Sequence, residues 1–412
     1  MATVRPFCAI RPGKGMEEQI AALPYDVYNR EEAKAYVLQH PESFLAIDRA
    51  ESQFPDDVDT YDPRVYEKAA QMIRERLEDG RFCRDEKPCF YLYELTMDGR
   101  TQTGVVGCAS IEDYESGVIL KHENTRADKE QDRICHVDVT GMQTGPIFLA
   151  CPSNGSLQEV IDRVRRTTPV NDFVSEDGIR HRVWVIADEA SIGALTGIFA
   201  GMPHLYIADG HHRCASAVKV GLKRAQENPQ DTGTEEYHFF LSVIFQDREL
   251  KIFDYNRVVK DLNGLSQEQF LGRVRECFDV EGPFSEKVQP PRKGTFGMLL
   301  KDQWYLLTAK EEICSADPVK GLDVSILQDH LLGPVLGIAD PRTDKRIDFV
   351  GGIRGPEELV RRTHKDMELA FWMYPTSIGE LFAVADQHLL MPPKSTWFEP
   401  KLRSGLFLHE IG

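Results

Sequence analysis

The sequence predicts a mixed α/β fold, because apolar segments that alternate in polarity are interleaved with amphipathic helical patterns. The clearest strand pair is "CFYLYELTMDGRTQTGVVGCASI", which alternates on both sides of Asp98-Gly99, a dipeptide typical of hairpin turns. The segments "HRVWVIAD" and "YHFFLSVIFQDRELKIFDYNRVV" add three strands, the last two joined by a short polar loop. We expect these strands to share one mixed sheet.

The N-terminal part contains two helical patterns with a loop between them. Pro24 ends the first pattern, and the segment Asn29 to Glu32 begins the second in the manner of a capping box. Pro24-Tyr25-Asp26 is therefore predicted to be a loop. Asp26 is either a turn cap or an active-site carboxylate, and we count it among the candidate substrate-binding residues.

The pattern changes beyond residue 260. It continues with helix-like "SQEQFLGRVRECF", a strand pair around Lys301-Asp302-Gln303 and helix-like "DVSILQDHLL". "IDFVGGIRGPEELVRR" predicts a strand, a glycine-rich turn and a helix with Pro356 in its first turn, and Ser377 and Glu380 are spaced as a capping box. We therefore divide the chain into a core, residues 1–260, and a second α/β layer, residues 261–412.

Composition excludes several classes of partner. The formal net charge of −17 opposes sequence-independent binding to nucleic acid or to anionic membranes, which needs clustered Lys and Arg. Nine cysteines without a CxxC pair indicate reduced thiols, and the N-terminus lacks the apolar core of a secretion signal. We expect a soluble cytoplasmic protein with no nucleic-acid or membrane partner, and the composition leaves a homo-oligomer open.

One strand-to-helix turn carries the most chemistry. In "HLYIADGHHRCASAVKVGLK", Leu205 to Ile207 form the end of a buried strand, and the alanine-rich part forms an amphipathic helix. Gly210 can adopt backbone angles that other residues avoid, and the first amides of a helix have no intrahelical partner. These amides, the helix dipole and the planar guanidinium of Arg213 favour a bound anion such as phosphate.

Two other interpretations of this turn stay open. In the first, Asp209 caps the helix, the two histidines are surface groups and Arg213 forms a salt bridge. In the second, Asp209, His211 and His212 bind a metal, although adjacent histidines rarely face one ion and no distant Cys or His pair supports zinc. A nucleotide-bound magnesium ion held by Asp209 is the metal site that we predict.

The turn also resembles a known phosphate loop. Gly210-His211-His212-Arg213 is similar to the glycine-x-x-arginine loop of the ParB/sulfiredoxin superfamily. In sulfiredoxins a nucleophilic cysteine stands at the position of His211, so this chain lacks the thiolate chemistry and keeps the anion-binding parts. The resemblance implies a ParB/sulfiredoxin-like core with these four residues as the phosphate cradle.

The resemblance extends along nearly the whole chain. It is carried, in order, by "RPFCAIRP…ALPYDVYNREEAKAYVLQHPESFLAIDRAE", "KHENTRADKEQDR", "YIADGHHRCASA" and "MPPKSTWFEPKLRSGL". These segments resemble the bacterial family called domain of unknown function 1015, which is grouped with ParB-like free serine kinases. Those enzymes phosphorylate L-serine with ADP or ATP. The resemblance implies a phosphotransferase that uses ATP or ADP with Mg²⁺ and acts on free L-serine or a similar hydroxylated metabolite.

The charged segment "LKHENTRADKEQDRI" is predicted to be a solvated loop or a mobile segment over a site. In a phosphoryl transfer, Glu123 is the candidate base, Arg126 and Arg133 clamp the phosphate charge, and Asp132 orients the acceptor. The alternative is that these Glu and Arg residues form exposed ion pairs of little energetic value. The candidate catalytic residues are Glu123, Asp209 and His212.

Two further segments have competing interpretations. Lys394, Ser395 and Thr396 follow two prolines and form either a rigid turn or a cationic lip over the phosphate site, so we count them as candidate substrate-binding residues. The Gly351-Gly352 turn has neither a Walker pattern nor a full GxGxxG, so we predict no separate nucleotide site there.

One departure from the family pattern leaves the activity open. The family commonly has a His-Arg pair where this chain has Asn256-Arg257, so a proton-carrying histidine would be lost. The alternatives are a nucleotide-gated switch that binds CTP, as ParB clamps do, and a non-catalytic scaffold. The acidic composition and the absence of a basic helix-turn-helix pattern argue against a DNA partner.

Overall fold

The structure is a computed structural model that describes residues 1–125 and 127–412, and the side chain of residue 128 lies outside this description. The described helices are, in chain order, α1 Glu17–Ile20, α2 Arg30–Gln39, α3 Leu45–Asp48, α4 Pro63–Glu78, α5 Ile111–Glu115, α6 Ala127–Thr140, α7 Gly155–Arg165, α8 Glu189–Ala200, α9 His211–Glu227, α10 Gln267–Cys277, α11 Asp323–Leu327, α12 Gly355–Lys365 and α13 Ile378–Asp386. The described strands are β1 Val4–Arg5, β2 Ile10–Pro12, β3 Phe82–Arg84, β4 Phe90–Met97, β5 Arg100–Ser110, β6 Ile119–Leu120, β7 Met142–Gln143, β8 Ile147–Cys151, β9 Asn171–Val174, β10 Arg180–Ile186, β11 Leu205–Asp209, β12 Phe239–Gln246, β13 Ile252–Phe253, β14 Tyr255–Val259, β15 Phe278–Phe284, β16 Thr295–Leu300, β17 Gln303–Ala309, β18 Ile347–Gly351, β19 Leu369–Met373, β20 Trp397–Phe398 and β21 His409–Glu410.

Local signals set the ends of several elements. The side chain of Asn29 accepts a hydrogen bond from the Glu32 amide and the Asn29 amide donates to the Glu32 carboxylate, so the predicted capping box of α2 is confirmed. Asp98 and Gly99 take positive φ angles of 51° and 76° in the turn between β4 and β5, which confirms that hairpin. Pro356 lies in the first turn of α12, as expected.

The described residues form two compact units, which we call unit 1 (Met1–Leu250 and Pro400–Gly412) and unit 2 (Lys251–Glu399). The boundary that we placed between residues 260 and 261 falls inside unit 2, after β14. Residues 400–412 belong to unit 1, where β21 pairs with β7. This return of the chain leaves no local mark in the sequence.

Unit 1 is built around a mixed sheet in the order β6-β11-β8-β12-β5-β4-β10-β9, with β1 paired to β5. The pairs β6/β11 and β8/β12 are parallel, whereas β8/β11 and β4/β5 are antiparallel. Buried side chains of the sheet share one core with side chains of α7, α8 and α9. The sheet contributes Leu92, Leu149 and Ile207, and the helices contribute Leu157, Phe199 and Val218. The predicted mixed α/β fold is confirmed.

Unit 2 contains a second sheet in the order β15-β17-β16-β19-β14-β18, with Leu359 of α12 packed in the core beside Val258 and Ala370. The predicted second α/β layer is therefore confirmed. The expectation that β12 and β14 share a sheet is wrong. β12 is buried along its whole length between β5 and β8, which occupy both of its hydrogen-bonding edges, so β14 pairs with β18 and β19 instead.

The charged segment after β6 is helical from residue 127, where a loop was predicted. Asp132 and Arg133 are buried in this helix, α6, because the carboxylate and the guanidinium pair with each other. Charge pairing of this kind produces no apolar period, so the sequence pattern did not indicate the helix. None of the helices in residues 1–125 and 127–412 is long and apolar enough to cross a membrane.

Candidate phosphate-binding site

The end of β11 and the start of α9 form the turn that the sequence predicted. The register of β11 against β8 shifts between Ile207 and Asp209, which is a β-bulge of the kind that re-aims side chains at functional sites. Gly210 follows with φ 93° and ψ 30°, a left-handed conformation that favours glycine. Among the described residues no side chain accepts a capping hydrogen bond from the first turn of α9, so the positive end of its dipole faces this turn.

The guanidinium of Arg213 folds back onto the turn. A Cβ atom at Gly210 would lie 3.0 Å from Nη2 of Arg213, so the close approach itself requires glycine. Nη1 of Arg213 donates a 2.6 Å hydrogen bond to the carbonyl oxygen of Pro146, just before β8. The backbone oxygen thus fixes the guanidinium at the turn, where its charge also stabilises the ionised form of Asp209.

Asp209 forms two polar contacts at the turn. Its Oδ1 accepts a 2.9 Å hydrogen bond from the Gly210 amide, and its Oδ2 lies 3.1 Å from Nζ of Lys401. Burial raises the pKa of Asp209, but the positive charges of Lys401 and Arg213 together lower it by more. The pKa of Asp209 is therefore well below its usual range. A magnesium ion at Oδ2 would have to displace the Lys401 ammonium group, so Asp209 fits the predicted metal site poorly.

The two histidines of the turn lie in different surroundings. His211 is buried, and its ring meets that of buried His122 edge-to-face at 4.5 Å between centroids. Burial lowers the pKa of His122 to about 4 and that of His211 well below its ordinary value. His212 is partly exposed, and its backbone carbonyl accepts a 2.7 Å hydrogen bond from the Ser216 hydroxyl. Partly exposed Glu123 completes the cluster around His211, with ligand atoms of the three side chains within 4.8 Å.

A small cavity of about 30 Å³ in unit 1 joins two of the predicted phosphate-binding arginines. Arg133 of α6 and Arg213 of α9 both line it, together with Tyr25, Asp48 and His136. Arg133 lies over the Tyr25 ring, 4.0 Å from its centroid, in a cation–π contact. Arg133 already pairs with Asp132 and Asp48 lines the same cavity, so the lining has mixed charge, with Arg213 as its second guanidinium group.

A neighbouring cavity of about 150 Å³ brings together the predicted acceptor residues Asp26 and Asp132. Arg133 and His136 line both cavities. Asp132 accepts hydrogen bonds of 3.0 Å from the Tyr66 hydroxyl and from Nε of Arg133. Asp26 and Asp132 therefore lie next to the phosphate-clamp cavity, on its polar side.

Three further predicted residues belong to unit 2. They are Lys394, Ser395 and Thr396, and the Ser395 hydroxyl donates a 2.6 Å hydrogen bond to the Pro392 carbonyl oxygen. The contact is typical of a rigid turn. Asn256, the departure from the family pattern, is buried in unit 2 and accepts a 2.9 Å hydrogen bond from the Met373 amide. Arg126 lies outside the described residues.

Unit 1 has a further cavity of about 530 Å³, lined by residues that include Tyr28, Tyr36, His40 and Arg403. None of the described residues predicted for the site lines it. We therefore place the candidate site at the two cavities beside Arg133.

Sequence reasoning missed several residues of the site. His122, Asp48 and Lys401 stand inside the segments that carry the family resemblance, so their position in those segments was the available signal. Tyr25 also stands in one of these segments, whereas His136, which lines both Arg133 cavities, lies outside them. All five are brought to the turn by long-range contacts.

Comparisons with known proteins give one family match and several similar solved structures. A family model with the description "Protein of unknown function (DUF1015)" matches residues 4–325. The solved structures that resemble the chain include a free serine kinase in complex with AMP, 15% identical over 74% of this chain and 91% of that chain, with a TM-score of 0.36. They also include a conserved hypothetical protein from Pyrococcus furiosus, 13% identical over 74% and 94%, with a TM-score of 0.37.

A third solved structure is SbnI with C-terminal truncation from Staphylococcus aureus, 11% identical over 71% of this chain and 82% of that chain, with a TM-score of 0.37. Similarity at this level carries no argument about activity. A search of the curated proteins finds no match. Because the family model spans well over half of the chain, this protein belongs to the family described as "Protein of unknown function (DUF1015)".

Proposed function

We propose that this protein is a nucleotide-dependent small-molecule kinase that transfers a phosphoryl group from ATP or ADP to free L-serine or a similar hydroxylated metabolite. The observation that carries the proposal is the Gly210 turn. A left-handed glycine precedes a helix without a side-chain cap, and Arg213 extends from that turn to a cavity shared with Arg133. Helix amides and paired guanidinium groups are suited to a polyphosphate.

The reaction needs few groups beyond such a cradle. The acceptor hydroxyl oxygen attacks the terminal phosphorus of the nucleotide, its proton passes to the Glu123 carboxylate, and the bond from that phosphorus to the bridging oxygen breaks. Arg213 and Arg133 neutralise the charge on the transferred group and on the leaving phosphate. Asp26 and Asp132, in the adjoining cavity, bind the polar groups of the acceptor.

The other predicted residues act around this centre. His211 and His212 belong to the cradle, and partly exposed His212 is in addition a proton-carrying candidate. Asp209 positions the turn through its bond to the Gly210 amide. Mg²⁺ would screen the nucleotide phosphates, and because Asp209 fits it poorly, the oxygen ligands would come from the nucleotide and water.

The activity is tested directly with purified protein, Mg²⁺, L-serine and either ATP or ADP, following phosphoserine by mass spectrometry. The proposal predicts phosphoserine in proportion to enzyme and time with one of the two nucleotides. If the protein binds nucleotide and yields no product with serine or a panel of hydroxy amino acids, the kinase assignment is wrong.

Calorimetry distinguishes the alternatives in the same preparation. A nucleotide-gated switch would bind a cytidine nucleotide in the absence of serine and transfer nothing. A non-catalytic scaffold would bind none of these nucleotides. Either result, combined with the absence of phosphoserine, would replace the kinase proposal.

A further inference from the structure

Two histidines from separate segments meet beside the phosphate turn. β6 and β11 are parallel neighbours, with Leu120 opposite Tyr206, so the residues after each strand leave the sheet at the same edge. His122 follows β6 by two residues and His211 follows β11 by two residues. The fold thereby brings their rings to 4.5 Å between centroids, with exposed fractions of 1% and 7%.

The buried nitrogen of His211 lacks a partner. Among the described residues, no group forms a hydrogen bond with its Nε2, which is buried from solvent. A buried polar atom without a partner costs about 1–3 kcal/mol, so natural sites rarely keep one without a reason. Nε2 of an imidazole is also among the commonest metal-binding atoms in proteins.

His122 is oriented as a metal-binding histidine usually is. Its ring donates a hydrogen bond to the backbone carbonyl of Ile207, on β11. When one ring nitrogen donates to a carbonyl, the other carries the lone pair that can bind a metal. The carboxylate of Glu123, the next residue, provides a negatively charged oxygen, and the three ligand atoms lie within 4.8 Å of one another.

We infer that His122, Glu123 and His211 form a binding site for a divalent first-row transition metal ion. Metal–ligand bonds of about 2.0–2.2 Å require these atoms to approach somewhat, which partly exposed Glu123 can do by rotating its side chain. Two imidazoles and one carboxylate suit Zn²⁺, Fe²⁺ or Co²⁺, and three protein ligands leave a coordination position open. Mg²⁺ prefers oxygen ligands, so this site differs from the ion that accompanies a nucleotide.

One oxygen of Glu123 suffices for the metal, which leaves the second to accept a proton. The inference therefore goes beyond the proposed kinase activity without contradicting it. Metal binding is measured without nucleotide or serine, so either proposal can fail while the other stands.

Another cluster in the chain provides a matched control. Asp231, Glu235 and His238 also place ligand atoms within 4.8 Å. These residues lie near the surface, and Nε2 of His238 already pairs with Asp231 at 2.7 Å. Since its imidazole has a protein partner, this cluster needs no metal.

The experiment uses the full chain after treatment with a chelator, titrated with ZnCl₂ by calorimetry and with CoCl₂ by visible spectroscopy. We expect one ion of either metal per chain, visible absorption from the Co²⁺ complex, and no displacement of Zn²⁺ by millimolar MgCl₂. Glu123→Gln and His211→Ala each remove a direct ligand and should weaken Zn²⁺ binding by more than about 100-fold, above the 10–100-fold typical for losing an outer partner. His238→Ala should bind as the parent does.

The inference is overturned if the parent chain binds no stoichiometric Zn²⁺ or Co²⁺, or if His238→Ala abolishes binding while Glu123→Gln does not. His211 is buried, so its variant is compared only if its thermal unfolding remains cooperative. Glu123 is partly exposed, and Glu123→Gln keeps the test decisive if the histidine variant does not fold.

Discussion

Two strand–glycine–helix turns in this protein have the same topology and opposite chemistry. In unit 1, β11 leads through Gly210 into α9, whose first residues are His211, His212 and Arg213. In unit 2, β18 leads through a glycine-rich turn into α12, whose first turn contains Glu357 and Glu358. A helix N-terminus favours negative charge, and α12 supplies it from its own sequence. α9 places positive groups there, and a negative group beside them within the described residues is the Asp209 carboxylate that precedes Gly210.

The glycines of the two turns also differ in what surrounds them. At Gly352 a Cβ atom would lie 2.3 Å from Oδ1 of Asp254, and the Gly352 amide donates to the Asp254 carbonyl, so that turn is filled by the chain itself. At Gly210 a Cβ atom would meet the guanidinium of Arg213, which lines a cavity. A glycine-rich turn alone is thus no sign of a phosphate site. The charge of the residues in the first helical turn is what distinguishes the two turns.

The largest effect is expected from Glu123→Gln. If Glu123 is the general base, its loss should lower kcat roughly 10²–10⁴-fold and leave nucleotide binding unchanged, because only the transition state loses a contact. Steady-state phosphoserine formation and calorimetry measure the two quantities. Glu357→Gln, in the contrasting turn, is the control and should leave both unchanged. Equal activity of the two variants would remove Glu123 from the mechanism.

Two carboxylates, one in each unit, should change the stability of the protein with pH in opposite directions. Lys401 holds the pKa of Asp209 low, so the stability from Asp209 is present at neutral pH and is lost as the pH falls below the unfolded pKa. In unit 2, burial raises the pKa of Asp323 from 3.8 to about 7, with a smaller contribution from Glu380. Folding then favours the protonated form, so Asp323 lowers stability as the pH rises from 4 to 7.

Asp323→Asn should therefore stabilise the protein at pH 8, by up to about 4 kcal/mol, and have little effect at pH 4. The asparagine oxygen can still accept the hydrogen bond from the Gly294 amide. Urea unfolding at both pH values measures the difference. Asp209→Asn should do the reverse and destabilise at pH 8, since it removes the ion pair with Lys401. A pH-independent effect of Asp323→Asn would contradict the assigned protonation.

Arg213→Ala and Arg354→Ala compare the two turns at a single charge. Arg213→Ala should weaken nucleotide binding roughly 10–100-fold, because it removes a charge-assisted contact worth about 1.5–3 kcal/mol. Arg354 is exposed beside Glu358 in unit 2, so its removal should leave binding unchanged. Calorimetric titration with ADP and ATP measures both. Equal affinities of the two variants would mean that the α9 turn does not bind the phosphates.

The smallest effect is expected from Gly210→Ala. A left-handed alanine costs roughly 1–2 kcal/mol, and the new Cβ would also press on Arg213. Gly193→Ala, in helix α8 with open space around it, should instead stabilise by up to about 1 kcal/mol. Thermal unfolding measures both. A neutral Gly210→Ala variant would show that the turn can relax.

The geometry of the Gly210 turn could be predicted from the sequence because its parts are local. A strand end, Gly210 and Arg213 lie within ten residues, and their roles depend on helix geometry. The ion pair of Asp209 with Lys401 joins residues 192 positions apart, which a local pattern does not encode. Burial of Asp132 in α6 depends on pairing with Arg133 and Tyr66, so its charged surface pattern gave the opposite expectation.

The central claim is tested most directly by a crystal structure of the protein with ADP and Mg²⁺. We expect phosphate oxygens about 3 Å from the backbone amides at the start of α9 and from the Arg213 guanidinium, with Arg133 facing the same nucleotide. Phosphates bound at the Gly352 turn, or in the cavity lined by Tyr28 and Arg403, with the α9 turn empty, would contradict the account.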